Sequence, residues 1–76
     1  MITVKLYGLL RIDSGIKEKQ LEAASVKEVL EALAECGIGR RDLASAVILV
    51  NGKNANGRSK LTDGDTVVLM SPVAGG

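Results

Sequence analysis

Ser25 and Glu28 fix the start of the one long helix this chain can make, and that helix limits how the rest can fold. Ser25 at the N-cap with Glu28 three residues later is the pattern of a capping box. Val26, Val29, Leu30 and Leu33 follow at i, i+3, i+4 and i+7, which draws a single apolar stripe. Gly37 supplies the left-handed position after the last turn, and Ile38 can fold back on Leu33 as in a Schellman motif. The spacing therefore predicts a helix over Ser25–Cys36. Its stripe must be covered by another layer, and the remaining patterns are strands.

Ile2, Val4 and Leu6 alternate with Thr3, Lys5 and Tyr7, the signature of a half-buried strand over Met1–Tyr7 ended by Gly8. Asp13-Ser14-Gly15 is a turn signal, and Ile16–Ala23 offers a weaker second strand. A hairpin with a long, irregular connection is expected there. Arg40–Ser45 reads as a short polar helical turn. Ala46–Val50 is an apolar run of strand length closed by Asn51-Gly52, a tight-turn pair. Lys53–Lys60 is polar loop with room for a short edge strand. Asp63-Gly64-Asp65 turns into a final strand over Thr66–Ser71, and Pro72 stops it because it lacks a ladder donor. The order strand, strand, helix, strand, short strand, strand gives an α+β chain: a mixed sheet of four to five strands wrapped around one main helix. The first and last strands are expected side by side at its centre. This is a β-grasp, with a domain over residues 1–71 and a flexible diglycine tail over 72–76.

Composition narrows the chemistry. Seventy-six residues make one small domain. Tyr7 is the only aromatic, so the core must be aliphatic. A net charge of +1 with interspersed signs, and no aromatic stacking platform, argue against nucleic acid as a partner. No apolar run approaches the roughly 20 residues that span a bilayer, so no membrane partner is expected. A single cysteine cannot form an internal disulfide, and a reducing cytoplasm is the simplest compartment.

The chain has no histidine, which removes the commonest general base and metal ligand. Cys36 alone cannot build a zinc site, so no metal is expected. Lying three residues after Leu33, it is expected to be an inert buried thiol. Gly37-Ile38-Gly39 follows a helix and has no Lys-Ser/Thr partner, so it is not a phosphate loop. Asp63 and Asp65 can form an acidic pair, but a solvated turn is the simpler reading. Arg40-Arg41 is either a solvated helix start or a contact for an acidic partner. Nothing in the chain can catalyse unaided.

Two features point elsewhere. Both parities of Val47–Val50 and of Val67–Met70 are apolar, whereas a sheet covered on one face should alternate. If Val67, Leu69, Ile48 and Val50 face the helix, then Val47, Leu49, Val68 and Met70 form a second apolar face. That face is either a protein docking surface or is covered by loops. The chain also ends in Gly75-Gly76, an ending of about 0.5% frequency from average glycine usage. A chance ending and a linker are the plain alternatives. An unhindered carboxylate that can enter a narrow channel is the functional one.

Taken together, these residues resemble the MoaD family, the small subunits of molybdopterin synthase, within the MoaD/ThiS ubiquitin-like sulfur carriers. Val4-Lys5-Leu6-Tyr7-Gly8-Leu9-Leu10-Arg11 is similar to that family's first strand and turn. The closing half is more specific: Val47–Gly52, then Leu61-Thr62-Asp63-Gly64-Asp65, then Pro72-Val73-Ala74-Gly75-Gly76. Ser71 stands where many members have proline, and Ile12 where an acid is common. ThiS carriers of thiamine synthesis share the fold and ending, and archaeal protein modifiers also resemble MoaD.

The resemblance implies a carrier that is non-catalytic alone and part of an enzyme when bound to the large, MoaE-like subunit. Gly76 would be adenylated by a ubiquitin-activating-type, MoeB-like enzyme that uses ATP, then converted by a sulfur donor to a thiocarboxylate for dithiolene synthesis. Pro72, Val73, Ala74 and Gly75 would thread the partner's channel, and Val47, Leu49, Val68 and Met70 would dock. No bound cofactor is implied.

Overall fold

The computed structural model describes residues 1–71, and the expected tail over 72–76 lies outside the described residues. Eight elements follow in order: β1 (Ile2–Tyr7), α1 (Leu9–Ser14), β2 (Glu18–Leu21), α2 (Val26–Glu35), α3 (Arg40–Ala44), β3 (Val47–Val50), β4 (Lys53–Asn54) and β5 (Thr66–Met70). The five strands form one sheet in the order β2-β1-β5-β3-β4. β1 runs antiparallel to β2 and parallel to β5, while β3 runs antiparallel to both β5 and β4. The mixed five-stranded sheet with helices on it is the β-grasp read from the pattern, with β1 and β5 adjacent as expected.

Alternation decides which side of the sheet holds the core. Ile2, Val4 and Leu6 of β1 and Val67 and Leu69 of β5 are buried, and Val26, Val29 and Leu33 of α2 join them in one cluster. Leu10, Ile38, Leu43 and Leu61 close its margins. Burial of aliphatic side chains at about 1.5–3 kcal/mol each is the driving term, offset by chain entropy. Every buried residue in this core is apolar, and no buried side-chain polar atom among the described residues lacks a partner.

α2 carries its expected caps. Ser25 Oγ accepts from the Glu28 backbone N–H at 3.4 Å, and Glu28 Oε1 accepts from the Ala24 N–H at 3.2 Å. The carboxylate thus reaches one residue further back than in the usual box. At the other end Gly37 has φ 101°, Ile38 donates to Leu33 O and Gly37 to Ala34 O, the two bonds of a Schellman motif.

Three expectations are corrected. The β1–β2 connection is not irregular, because Leu9–Ser14 winds into α1. Only Leu10 of this helix is buried, too short an apolar signal to register as a stripe. Gly15 ends it in the left-handed region and donates to Arg11 O at 2.9 Å. Secondly, β2 spans only Glu18–Leu21, and Ile16 and Ala23 pack against the core outside the ladder. Thirdly, Cys36 is exposed. It lies at the C-cap, where the Schellman reversal brings buried Ile38 to the place at which the stripe extrapolates to Cys36.

Candidate functional site

The outer face of the sheet is set by register. Val47 pairs with Met70 and Leu49 with Val68 across β3 and β5, so these four share a face opposite buried Val67 and Leu69. The expected docking residues are therefore contiguous. Val47 is 41% exposed, and Leu49, Val68 and Met70 are half-buried by one another and by neighbouring strands. The parallel register adds Tyr7 beside Met70 and Lys5 beside Val68. A row Tyr7–Met70–Val47 thus crosses three strands at the sheet end where β5 finishes. Lys5–Val68–Leu49–Asn54 forms the row behind it.

Parity puts Tyr7, 43% exposed, on the side of β1 that carries Thr3 and Lys5, and does not by itself join it to this face. Its addition needs the β1–β5 register, which sequence spacing does not contain. Leu9 and Ile12 of α1 are more exposed still, at 55% and 74%, and follow Tyr7 around Gly8. An exposed aliphatic side chain is ordinary alone, whereas a contiguous exposed apolar group is less usual on a monomer's surface.

The point where the chain leaves this face is fastened. Ser71, the residue after β5, accepts through Oγ from the Leu9 backbone N–H at 2.7 Å. Gly8 begins α1 with φ 68° and offers no capping side chain, so Ser71 supplies the cap from 62 positions away. Pro72, Val73, Ala74, Gly75 and Gly76 continue from there and lie outside the described residues.

The far end of the sheet is closed by a polar clasp that joins two turns far apart in sequence. Asn51 has φ 51° and Gly52 φ 84°, both positive as a two-residue hairpin loop between β3 and β4 requires. Asn51 Nδ2 donates to Asp65 Oδ1 at 2.9 Å, and Asn51 Oδ1 accepts from the Thr66 N–H at 3.0 Å. Asp65 Oδ2 accepts from the Thr62 N–H at 2.9 Å. The Thr62 backbone and the Asn51 side chain hold the Asp65 carboxyl below its ordinary range. Asp63 instead pairs with the amino terminus at Met1. The two aspartates thus serve separate structural contacts, and the solvated-turn reading of this segment is the one its geometry favours.

The clefts formed by the described residues are small. Clefts of 120 Å³ beside Asp13 and Asp42 and of 220 Å³ between α2 and α3 fall short of the roughly 300–1,000 Å³ of ligand pockets. Among the described residues no cluster of three His, Cys, Asp or Glu side chains can hold a metal. Nor is any described helix long and apolar enough to cross a membrane.

Solved structures share this architecture over nearly the whole chain. Small archaeal modifier protein 1 from Methanosarcina acetivorans is 28% identical with TM-score 0.82, covering 99% of this chain and 95% of that one. The complex of subunits 1 and 2 of molybdopterin-converting factor from Helicobacter pylori contains a chain 26% identical, TM-score 0.75, with coverage of 99% and 97%. The BexX/CysO complex of Amycolatopsis orientalis contains one 22% identical, TM-score 0.80, with full coverage of both chains, a likeness of fold. No curated protein sequence matches the chain. A family description does: that of the ThiS family matches residues 4–76, from β1 through Gly76. With the β-grasp, the apolar sheet end and this match across all but three residues, the chain belongs to the ThiS family.

Proposed function

We propose that this protein is a sulfur carrier whose Gly76 carboxylate is the reacting group, and that it serves as the small subunit of a molybdopterin synthase. One observation carries the reading. The apolar row Tyr7–Met70–Val47 lies at the sheet end from which the chain runs into Pro72-Val73-Ala74-Gly75-Gly76. A docking face and a side-chain-free terminus are thereby joined by five residues, at most about 17 Å when extended. The molybdopterin assignment is supported by the likeness to a chain of the Helicobacter pylori converting-factor complex and by the Pro-x-x-Gly-Gly ending.

The chemistry needs activation from outside, because a carboxylate is a poor electrophile and the sequence has no histidine to assist it. An adenylating partner lets a Gly76 carboxylate oxygen attack the α-phosphorus of ATP. Pyrophosphate leaves and an acyl-adenylate forms. A hydrosulfide-equivalent donor then adds to the carbonyl carbon, the C–O bond to AMP breaks, and a thiocarboxylate remains. In the large synthase subunit, the thiocarboxylate sulfur forms a bond to an electrophilic carbon of a pterin precursor. Water then cleaves the acyl C–S bond, leaving sulfur on the precursor and returning the Gly76 carboxylate. Glycine at 75 and 76 lets the backbone enter a channel that a Cβ would block.

Intact-mass measurement after incubation with ATP, an activating enzyme and a sulfide source tests this. The expected product carries sulfur in place of one oxygen at Gly76, and the Gly76-deleted chain stays unchanged. An unmodified full-length chain under conditions that convert a control carrier would refute the reading. Val47→Asp and Leu49→Asp should weaken capture by a MoaE-like large subunit without unfolding the chain. Unchanged capture would remove the docking face.

The 28% identity to a small archaeal modifier favours a second reading, conjugation of Gly76 to lysines of other proteins. A ladder of conjugates resistant to reducing agent, lost on Gly76 deletion, would select it over sulfur delivery. ThiS-type supply of thiamine synthesis is the remaining alternative, and pull-down of a thiazole-forming enzyme instead of the large synthase subunit would identify it.

A further inference from the structure

We infer that Ser71 is a positioning residue for Gly76, acting through the hydrogen bond that ties the end of β5 to the start of α1; this rests on the carrier reading above. Tyr7 and Met70 are the last pair of the parallel ladder between β1 and β5, so Gly8 and Ser71 stand next in line. There the two chains part, because Gly8, with φ 68° and ψ −143°, turns into α1. Main-chain pairing ends and a side chain replaces it: Ser71 Oγ takes the Leu9 N–H at 2.7 Å, the short end of the N–H···O range. A Cβ on Gly8 would lie 2.5 Å from that hydroxyl, so glycine at this position leaves the room that the bond occupies. Two residues 63 positions apart are thus fitted to one contact.

The placement matters because five residues separate Ser71 from the reacting carboxylate. With Ser71 held, the path of Gly76 starts from a fixed point and direction beside the docking row. Without the bond, the backbone at 71 loses that anchor, and fewer docked carriers present the carboxylate at reacting distance. Orientation lost at the root of a short tether lowers the productive fraction of bound complexes while leaving docking itself intact.

Wild type, Ser71→Ala and Ser71→Thr are compared under conditions well below each variant's urea midpoint. Hydrogen exchange at the Leu9 amide reports the bond. Pyrophosphate exchange with an activating enzyme at varied carrier concentration reports kcat and KM. Ser71→Ala should speed Leu9 exchange and lower kcat, each by about 2- to 10-fold, the factor that one net hydrogen bond supplies. KM should stay near its wild-type value, and Ser71→Thr, which keeps the hydroxyl, should restore both readouts. Faster Leu9 exchange with unchanged kcat would make the bond merely structural and overturn the inference. Equal Leu9 exchange in wild type and Ser71→Ala would show that the bond does not form. A loss carried by KM alone would assign Ser71 to the docking surface instead. A wild-type chain that is never adenylated would refute the carrier reading, and this inference with it.

Discussion

Leu69 and Met70 are neighbours in sequence with opposite surroundings, so they test the assignment of the two sheet faces. Leu69 is fully buried in the central strand among Ile2, Val4, Leu6 and the apolar stripe of α2. Met70 is half-buried on the other face, between Tyr7 and Val47. Leu69→Ala removes three carbon groups, about 2.4 kcal/mol of transfer free energy at roughly 0.8 kcal/mol each. It also leaves a cavity that strands on both sides keep from collapsing, which brings the cost to about 3–5 kcal/mol. A domain of 76 residues has only about 4–11 kcal/mol in total. Met70→Ala opens toward solvent and leaves no closed cavity, so its cost is about 1 kcal/mol or less. Urea denaturation followed by circular dichroism measures both. With m near 1 kcal/mol/M for a chain this small, Leu69→Ala should lower the midpoint by about 3 M or more, or unfold the protein outright. Met70→Ala should lower it by about 1 M or less at unchanged m. Equal midpoint losses for the two variants would refute the face assignment and leave no free apolar surface for a partner.

Three further outcomes follow from named contacts. Because the folded-state pKa of Asp65 is depressed, its stabilisation is fully present above the unfolded-state pKa and is lost as pH falls through the folded value. Asp65→Asn should therefore be less stable than wild type at pH 7, with the gap narrowing as pH drops below about 4; a pH-independent gap in urea midpoints would remove the role of its charge. Ser25→Ala leaves the Glu28 N–H uncapped and should cost about 1 kcal/mol, and a change under about 0.3 kcal/mol would show that water caps α2 equally well. Cys36 should react with an aromatic disulfide reagent in the native state at a rate near that of the urea-unfolded chain; protection by folding would contradict its exposure.

The sequence by itself determined those parts whose rules are local. Alternation marked the inner face of β1, and cap residues set both ends of α2 to within one residue. Asn51-Gly52 closed a hairpin, and the double parity of Val47–Val50 and Val67–Met70 placed Val47, Leu49, Val68 and Met70 together. Each signal acts within a few residues, where period and turn chemistry are fixed by backbone geometry.

Tertiary structure alone decided what depends on partners far away in the chain. α1 has one buried residue and takes its cap from Ser71, so neither a stripe nor a capping side chain announces it locally. Ser14 Oγ donating to Leu10 O and Gly15 at the C-cap were the local traces available. Cys36 follows the helical period of α2 but lies where the backbone leaves the helix, and Ile38 is buried instead. Asn51 and Asp65 read as separate turns until β3 and β5 pair and bring them within hydrogen-bond distance. Tyr7 joins the apolar face only through the parallel register of β1 and β5. Periodicity tells which way a side chain points, whereas register and closure determine what it meets.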